Sequence, residues 1–142
     1  MNHTLSRVSL VPALLLGLVM QTGLAQASGD LSAEAVNTLL KDKTVFAWHE
    51  RGRFNYTSFF AADGTVKQVN EKGEKLSGSW SVDSSGTLCV TWTDSSDSNC
   101  GKLQANGDGT YKRMRTNPRN LIGGAIHFVT FKRFENGNSQ GL

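Results

Sequence analysis

Cationic side chains cluster near the C-terminus of this 142-residue chain and are its strongest candidates for binding chemistry. Residues 101–142 hold seven Lys and Arg against two Asp and Glu, a net charge of +5, whereas residues 28–100 hold seven against ten, a net charge of −3. Arginine binds carboxylate and phosphate groups through paired hydrogen bonds, so the cluster predicts an anionic partner; a solvated basic face is the alternative. The cluster consists of Lys112, Arg113, Arg115, Arg119, Lys132 and Arg133.

Side-chain alternation decides where the arginines of this cluster point. Arg113 and Arg115 are two residues apart in an extended segment and therefore share one face of a strand. Two guanidinium groups in a dry core would be costly, so we expect them to face inward only beside water and anionic groups. Otherwise they form a surface patch with Arg119 and Arg133. In both cases these four arginines are the predicted ligand-binding residues.

The sequence offers little for catalysis or for metal binding. His49 and His127 are far apart along the chain and are not by themselves a metal-ligand set, although neighbouring strands could bring them together. No serine lies in a GxSxG motif, and there is no phosphate-binding loop or dinucleotide fingerprint. We therefore predict a protein that is not an enzyme, needs no cofactor or metal, and has no nucleic acid as a partner.

The N-terminal segment 1–27 has the features of a secretory signal. Arg7 precedes a short apolar run at 8–20, and Ala25 and Ala27 form a small-residue cleavage motif around Gln26. The apolar run is shorter than the roughly 20 residues that a transmembrane helix needs. Removal of the signal leaves residues 28–142, which we expect to form one monomeric domain, periplasmic or secreted, without a membrane span.

The two cysteines of the chain, Cys89 and Cys100, both fall in the exported part. Disulfides form and persist in oxidising compartments such as the bacterial periplasm. We therefore predict a Cys89–Cys100 disulfide that acts as a structural staple. A closed loop of this length would stabilise the fold by about 3 kcal/mol.

Most of the exported chain alternates apolar and polar residues with the period of two that is typical of β-strands. Trp80 and Trp92 alternate with polar neighbours in two successive segments, so both tryptophans are predicted to face the core. Turns that contain glycine separate the segments and favour antiparallel hairpins. The predicted strands are 44–50, 53–60, 65–70, 75–83, 87–93, 100–105, 110–115 and 125–134.

About eight successive strands predict an all-β domain at 44–134, an antiparallel meander closed into a lipocalin-like barrel, because closure removes exposed strand edges. A β-sandwich is the alternative, since the pattern alone does not fix closure. One N-terminal helical segment at 28–43, capped by Asp30 or Ser32, precedes the barrel. A crossing loop at 116–124 interrupts the meander, and the polar tail 135–142 is predicted to be disordered.

The order of short motifs resembles that of small bacterial exported proteins of unknown function. Their skeleton is an aromatic strand, a DG-T turn, a G-x-W-x-V strand, an LC strand, an aromatic position and a second cysteine, matched here over roughly residues 44–115. The resemblance implies a lipocalin-like (calycin-like) β-fold and an exported location, and it implies no active site. The matched positions are 56–60, Asp63, Gly64, Thr65, Gly78, Trp80, Val82, Leu88, Cys89, Trp92 and Cys100.

Charge, export and fold class together suggest a binding role. We expect an exported β-barrel protein that holds a small amphiphilic or anionic molecule in or at the mouth of the barrel. The interior of an eight-stranded barrel can be filled by side chains or can hold one small ligand. The alternative is a protein-interaction module of the cell envelope, an inhibitor or accessory protein that acts through its loops.

Overall fold

A computed structural model describes residues 29–116 and 124–142 of the chain. The signal predicted at 1–27 lies outside the described residues, and so do Arg119 and residues 117–123 of the predicted crossing loop. The described part contains one helix followed by eight strands, which confirms the predicted all-β class with a helix near the N-terminus. The elements are α1 (Ala33–Leu40), β1 (Lys43–His49), β2 (Phe54–Phe60), β3 (Thr65–Asn70), β4 (Lys75–Val82), β5 (Thr87–Trp92), β6 (Ser98–Ala105), β7 (Tyr111–Thr116) and β8 (Ala125–Asn136).

The eight strands form one closed antiparallel barrel. Each strand pairs with the next along the chain, and β8 returns to pair with β1, where Lys43 lies opposite Asn136 and His49 lies opposite Val129. This order confirms the predicted meander and excludes the alternative sandwich. The architecture is consistent with a lipocalin-like fold.

The short helix α1 covers the end of the barrel at which β1 begins. The Ser32 side chain accepts a hydrogen bond from the backbone N–H of Ala35 at 3.2 Å and caps the helix. Val36 and Leu40 are fully buried, and the helix packs against β1 and β4. The helix is shorter than the predicted segment 28–43, because Asp30 forms a bridge to β6 and does not join the first turn.

Inward-facing residues of successive strands form the core, with the alternation expected of a barrel. Leu88 and Leu103 are fully buried at its centre. Trp80 is 8% exposed, and its indole Nε1 donates a hydrogen bond to the Ala61 carbonyl at 2.9 Å. Trp92 is partly buried and packs on the edge of the core, at the end of the barrel opposite α1.

A β-bulge in β8 changes which of its residues face the interior. The pairing of β7 with β8 shifts just after Arg113, which lies opposite Val129, and Phe128 is the extra residue. Phe128 and Val129 are therefore both buried, at 7% and 2% exposure, although they are consecutive. Gly101 on β6 leaves room for this arrangement, because a Cβ there would lie 2.3 Å from the Met114 carbonyl oxygen.

The C-terminal tail is attached to the start of β1. Strand β8 continues to Asn136, and the buried Thr44 hydroxyl then donates to the Gly137 carbonyl at 2.6 Å and accepts from the Ser139 N–H at 3.1 Å. The Gly137 N–H also donates to the Asp42 carbonyl at 2.7 Å. The tail, expected from its polarity to be disordered, is instead held by a buried hydroxyl that the tail sequence does not reveal.

Candidate functional site

A cavity of about 200 Å³ lies in the barrel at the end opposite α1, and we call it the inner cavity. All eight strands contribute to its wall, which combines five ring-bearing side chains with an arginine, an asparagine and a glutamine. An eight-stranded barrel can hold one small ligand in such a space. The lining residues are His49, Phe54, Tyr56, Gln68, Leu76, Val90, Trp92, Asn99, Arg113, Phe128 and Val129.

Arg113 of β7 points into the barrel and is only 5% exposed. Its Nη2 group donates hydrogen bonds to the backbone carbonyl oxygens of Asn99 at 2.6 Å and of Leu88 at 3.2 Å. Its guanidinium carbon lies 5.0 Å from the centre of the Phe128 ring, within cation–π range. Its Nε is buried and has no hydrogen-bond partner among the described residues. Arg113 is thus held by neutral groups and keeps one buried donor unused.

No carboxylate neutralises the Arg113 guanidinium. All twelve Asp and Glu residues of the chain fall within the ranges 29–116 and 124–142, and none of them forms an ion pair with Arg113 there. Burial lowers the pKa of Arg113 to about 10, which leaves the guanidinium charged at neutral pH. The barrel therefore encloses a positive charge without a side-chain anion beside it.

Tyr56 of β2 adds a second buried polar group to the wall. Burial raises the pKa of its hydroxyl to about 12, and the nearby charge of Arg113 opposes this shift. The hydroxyl is therefore protonated at neutral pH and can donate a hydrogen bond. The Phe54 ring lies 6.2 Å from the Tyr56 ring and extends the aromatic wall toward the open end of the cavity.

His49 at the end of β1 contributes a neutral imidazole. The backbone N–H of Gly52 donates to its Nδ1 at 2.9 Å, which places the ring proton of the neutral form on Nε2. Burial lowers the pKa of His49 below its ordinary value, and the charges of Arg115 and Arg51 act in the same direction. The His49 ring stacks on Phe54 with the ring centres 5.0 Å apart. His49 can therefore offer Nε2–H as a donor without adding charge.

Arg115 lies exposed at the mouth of the barrel, two residues beyond Arg113 on β7. Its guanidinium carbon is 5.8 Å from the centre of the Phe128 ring, so one aromatic ring lies near both arginines. Arg115 also lines an open space of about 640 Å³, the outer cavity, whose wall includes polar residues of the β5–β6 connection. The two cavities share Trp92 and Asn99, so a second cation stands at the entrance to the inner cavity.

Asn99 of β6 completes the polar part of the wall. Its backbone carbonyl binds Arg113, and its side-chain Oδ1 is buried without a hydrogen-bond partner among the described residues. A buried polar atom left without a partner costs about 1–3 kcal/mol. Arg113 and Asn99 both line the inner cavity, and each carries one buried polar atom without a hydrogen-bond partner among the described residues.

The predicted disulfide is present and adjoins the arginine anchor. Cys89 and Cys100 face each other on β5 and β6, with their Cα atoms 4.0 Å apart. The carbonyls that bind Arg113 belong to Leu88 and Asn99, the residues directly before the two cysteines. The cross-link therefore restrains the spacing of the two carbonyls that hold the guanidinium.

Arg113, Arg115 and Arg133, the predicted ligand-binding arginines that the structure describes, do not share one surface. Arg113 faces the interior without the anionic neighbours expected of a buried arginine, because carbonyl oxygens and an aromatic face replace water around it. Arg133 lies exposed, with its guanidinium carbon 3.7 Å from the centre of the Phe46 ring, and it pairs with Glu135. Of the four predicted ligand-binding arginines, the structure thus places Arg113 and Arg115 at the cavities and Arg133 elsewhere.

The two histidines, His49 and His127, lie in different environments. His127 Nε2 lies 2.9 Å from the Thr130 hydroxyl and 3.5 Å from a Glu50 carboxylate oxygen, whereas His49 lines the inner cavity. Among residues 29–116 and 124–142, no three His, Cys, Asp or Glu side chains are grouped in a way that could hold a metal ion.

No protein-family model matches the chain, and a search of curated proteins found no similar sequence. In the part of the chain that the structure describes, no helix is long and apolar enough to cross a membrane.

Proposed function

We propose that this chain is an exported, non-enzymatic β-barrel protein that binds a small anionic molecule in the inner cavity. The observation that carries the proposal is the Arg113 guanidinium, 5% exposed, without an ion-pair partner among the described residues, and in the wall of an open cavity. An anion in the cavity would supply the missing charge. Arg115 at the mouth would attract the same anion from solution.

The energetic cost of a buried charge supports a binding role over a purely structural one. Taking an ion out of water costs several kcal/mol, and the cost is offset only by good pairing and full hydrogen bonding. Arg113 has neither within the described residues, because its Nε is unpaired and its acceptors are neutral carbonyls. An apolar side chain would fill the same space at lower cost, so the arginine is better explained by a ligand that it pairs with.

Export is supported by two independent features. The Cys89–Cys100 disulfide is consistent with an oxidising, non-cytoplasmic compartment, where such bonds persist. The segment 1–27 carries the charge, the apolar run and the small-residue motif of a secretory signal. Together they favour a periplasmic or secreted location for the binding protein.

Native mass spectrometry of the protein isolated after export tests this proposal. We expect a bound small acid on the unaltered protein and on the matched control Arg133→Gln, whose arginine lies exposed and away from the cavities. Arg113→Gln should be isolated without it, since the substitution removes the buried charge. A co-isolated protein partner in place of a small molecule, retained by Arg113→Gln, would contradict the proposal and favour an interaction module of the cell envelope.

A further inference from the structure

The volume and the lining of the inner cavity restrict the chemical class of the ligand more than the charge of Arg113 alone does. We propose that the inner cavity takes a compact aromatic monocarboxylate, with its carboxylate against Arg113 and its ring among the aromatic side chains of the wall. This inference rests on the proposed function and adds the chemical class of the ligand to it.

The polar groups around Arg113 match a head group with a single negative charge. One guanidinium supplies one positive charge, and its Nη2 is already committed to the carbonyls of Asn99 and Leu88. The buried donor left without a partner is Nε. The single positive charge of Arg113 neutralises a carboxylate. A phosphate dianion would bring a second negative charge and a third oxygen, which the charge of Arg113 does not balance.

Neutral donors in the same wall can complete the coordination of a carboxylate. The Tyr56 hydroxyl is protonated at neutral pH, and burial raises its pKa further, while the neutral form of His49 carries its proton on Nε2. Both groups are neutral. They can therefore add hydrogen bonds to the carboxylate without changing the charge balance between it and Arg113. Asn99 Oδ1 offers an unpaired acceptor to any hydroxyl or N–H that the ligand carries beside its carboxylate.

The size of the inner cavity favours a single ring over a long chain. Its volume of about 200 Å³ is somewhat larger than the ~150 Å³ cavity that accommodates a benzene molecule in a protein core. One ring and a small head group therefore fill it. A long alkyl chain would extend beyond it into the outer cavity, whose lining includes the charged residues Asp97 and Arg115.

The wall around this space is suited to a ring. Five of the eleven lining side chains carry rings, and aromatic pairs gain from offset and edge-to-face contacts. Phe54, Leu76 and Trp92 lie at the strand ends nearest the mouth, whereas Arg113 is deeper on β7. The acid therefore enters with its carboxylate first, and its ring follows into the aromatic part of the wall.

The head-group assignment is tested by calorimetric titration of the unaltered exported protein with three probes that share one ring: benzoate, benzamide and phenyl phosphate. We expect benzoate to bind at least about tenfold more tightly than benzamide, because only the carboxylate carries a negative charge and forms an ion pair with the guanidinium. We also expect it to bind more tightly than phenyl phosphate. Equal affinities for benzoate and benzamide, or a preference for phenyl phosphate, would overturn the inference. This comparison needs no variant and so does not depend on the folding of one.

The ring assignment is tested by a second titration, with acetate, benzoate and dodecanoate on the unaltered protein, on Arg113→Gln and on the matched control Arg133→Gln. We expect benzoate to bind most tightly, and to lose at least about tenfold in affinity in Arg113→Gln only. Tighter binding of dodecanoate that still depends on Arg113 would overturn the aromatic assignment and leave the proposed function standing. If no acid binds in a way that depends on Arg113, both the inference and the proposed function fail.

Discussion

Arg113 shows how a strand places a charged side chain inside a barrel at tolerable cost. Its guanidinium exchanges water for two backbone carbonyls and the face of Phe128, which are acceptors and a π-surface that carry no charge. These contacts position the group but leave its charge uncompensated. The guanidinium is therefore positioned to bind an anion. Its effect on the free energy of unfolding of the ligand-free protein can be measured.

Replacing Arg113 by methionine separates the structural role of the residue from its binding role. We expect Arg113→Met to keep or raise the free energy of unfolding of the ligand-free protein, because exchanging a buried ion for a well-packed apolar residue is often neutral or stabilising by about 1–4 kcal/mol. We expect the same variant to lose binding of the small acid. Urea denaturation monitored by tryptophan fluorescence gives the first quantity, and calorimetric titration gives the second.

Arg115→Met provides the matched comparison, because this exposed arginine lies two residues along the same strand. Its substitution should leave the free energy of unfolding nearly unchanged and weaken acid binding less than Arg113→Met does. A loss of several kcal/mol of stability in ligand-free Arg113→Met would instead show that the arginine holds the barrel together.

The β-bulge in the pairing of β7 with β8 places the Phe128 ring beside Arg113, and it packs closely against Gly101 of β6. The extra residue Phe128 turns its ring inward beside Arg113, and Gly101 lets the bulge approach. A Cβ on Gly101 would lie 2.3 Å from the Met114 carbonyl oxygen and 3.1 Å from the Phe128 ring. The backbone of β7 would have to move, and the ring that faces the guanidinium would move with it.

We therefore expect Gly101→Ala to lower the free energy of unfolding by about 1–3 kcal/mol, as overpacking does, and to weaken binding of the small acid. Gly124→Ala is the matched control, since a Cβ there meets no atom of the described residues within 4 Å. Denaturant titration and calorimetry of both variants check this. Equal behaviour of the two alanine variants would show that the close approach at Gly101 does not position the site.

The Cys89–Cys100 disulfide links β5 and β6, the two strands whose carbonyls bind Arg113. Cys89 and Cys100 follow the two residues whose carbonyls hold Arg113, so we expect the Cys89→Ser/Cys100→Ser variant to lose about 3 kcal/mol of stability and some affinity for the acid. The fold should persist, because the barrel ladder does not depend on the cross-link. Thiol counting of the native protein, far-UV circular dichroism and calorimetry test these expectations. Two free thiols in the exported protein would show that Cys89 and Cys100 are not linked. Unchanged affinity for the acid would show that the disulfide stabilises the fold but does not position the site.

For the whole molecule, the barrel could be predicted from the sequence and the site could not. Alternation around Trp80 and Trp92, the glycine turns and the cysteine spacing are local signals, and they predicted the closed meander and its cross-link. Alternation also put Arg113 and Arg115 on one face. It could not show that this face is the interior, because Arg113 is placed inward by its pairing with the buried Leu103 of β6 and is held there by acceptors from β5 and β6. Long-range contacts of this kind are not encoded at any single position.

The central claim is that a charged, buried Arg113 binds the carboxylate of a small acid inside the barrel. Nuclear magnetic resonance of ¹⁵N-labelled exported protein during titration with benzoate tests it most directly, through the Nε–H signals of the arginines and the indole N–H signals of the tryptophans. We predict that the signals of Arg113 and Trp92 shift together and saturate, while that of Arg133 stays in place. Shifts at Arg133 or Arg115 with an unmoved Arg113 signal would contradict the claim, because benzoate would then bind the outer surface or the mouth and leave the buried charge unpaired.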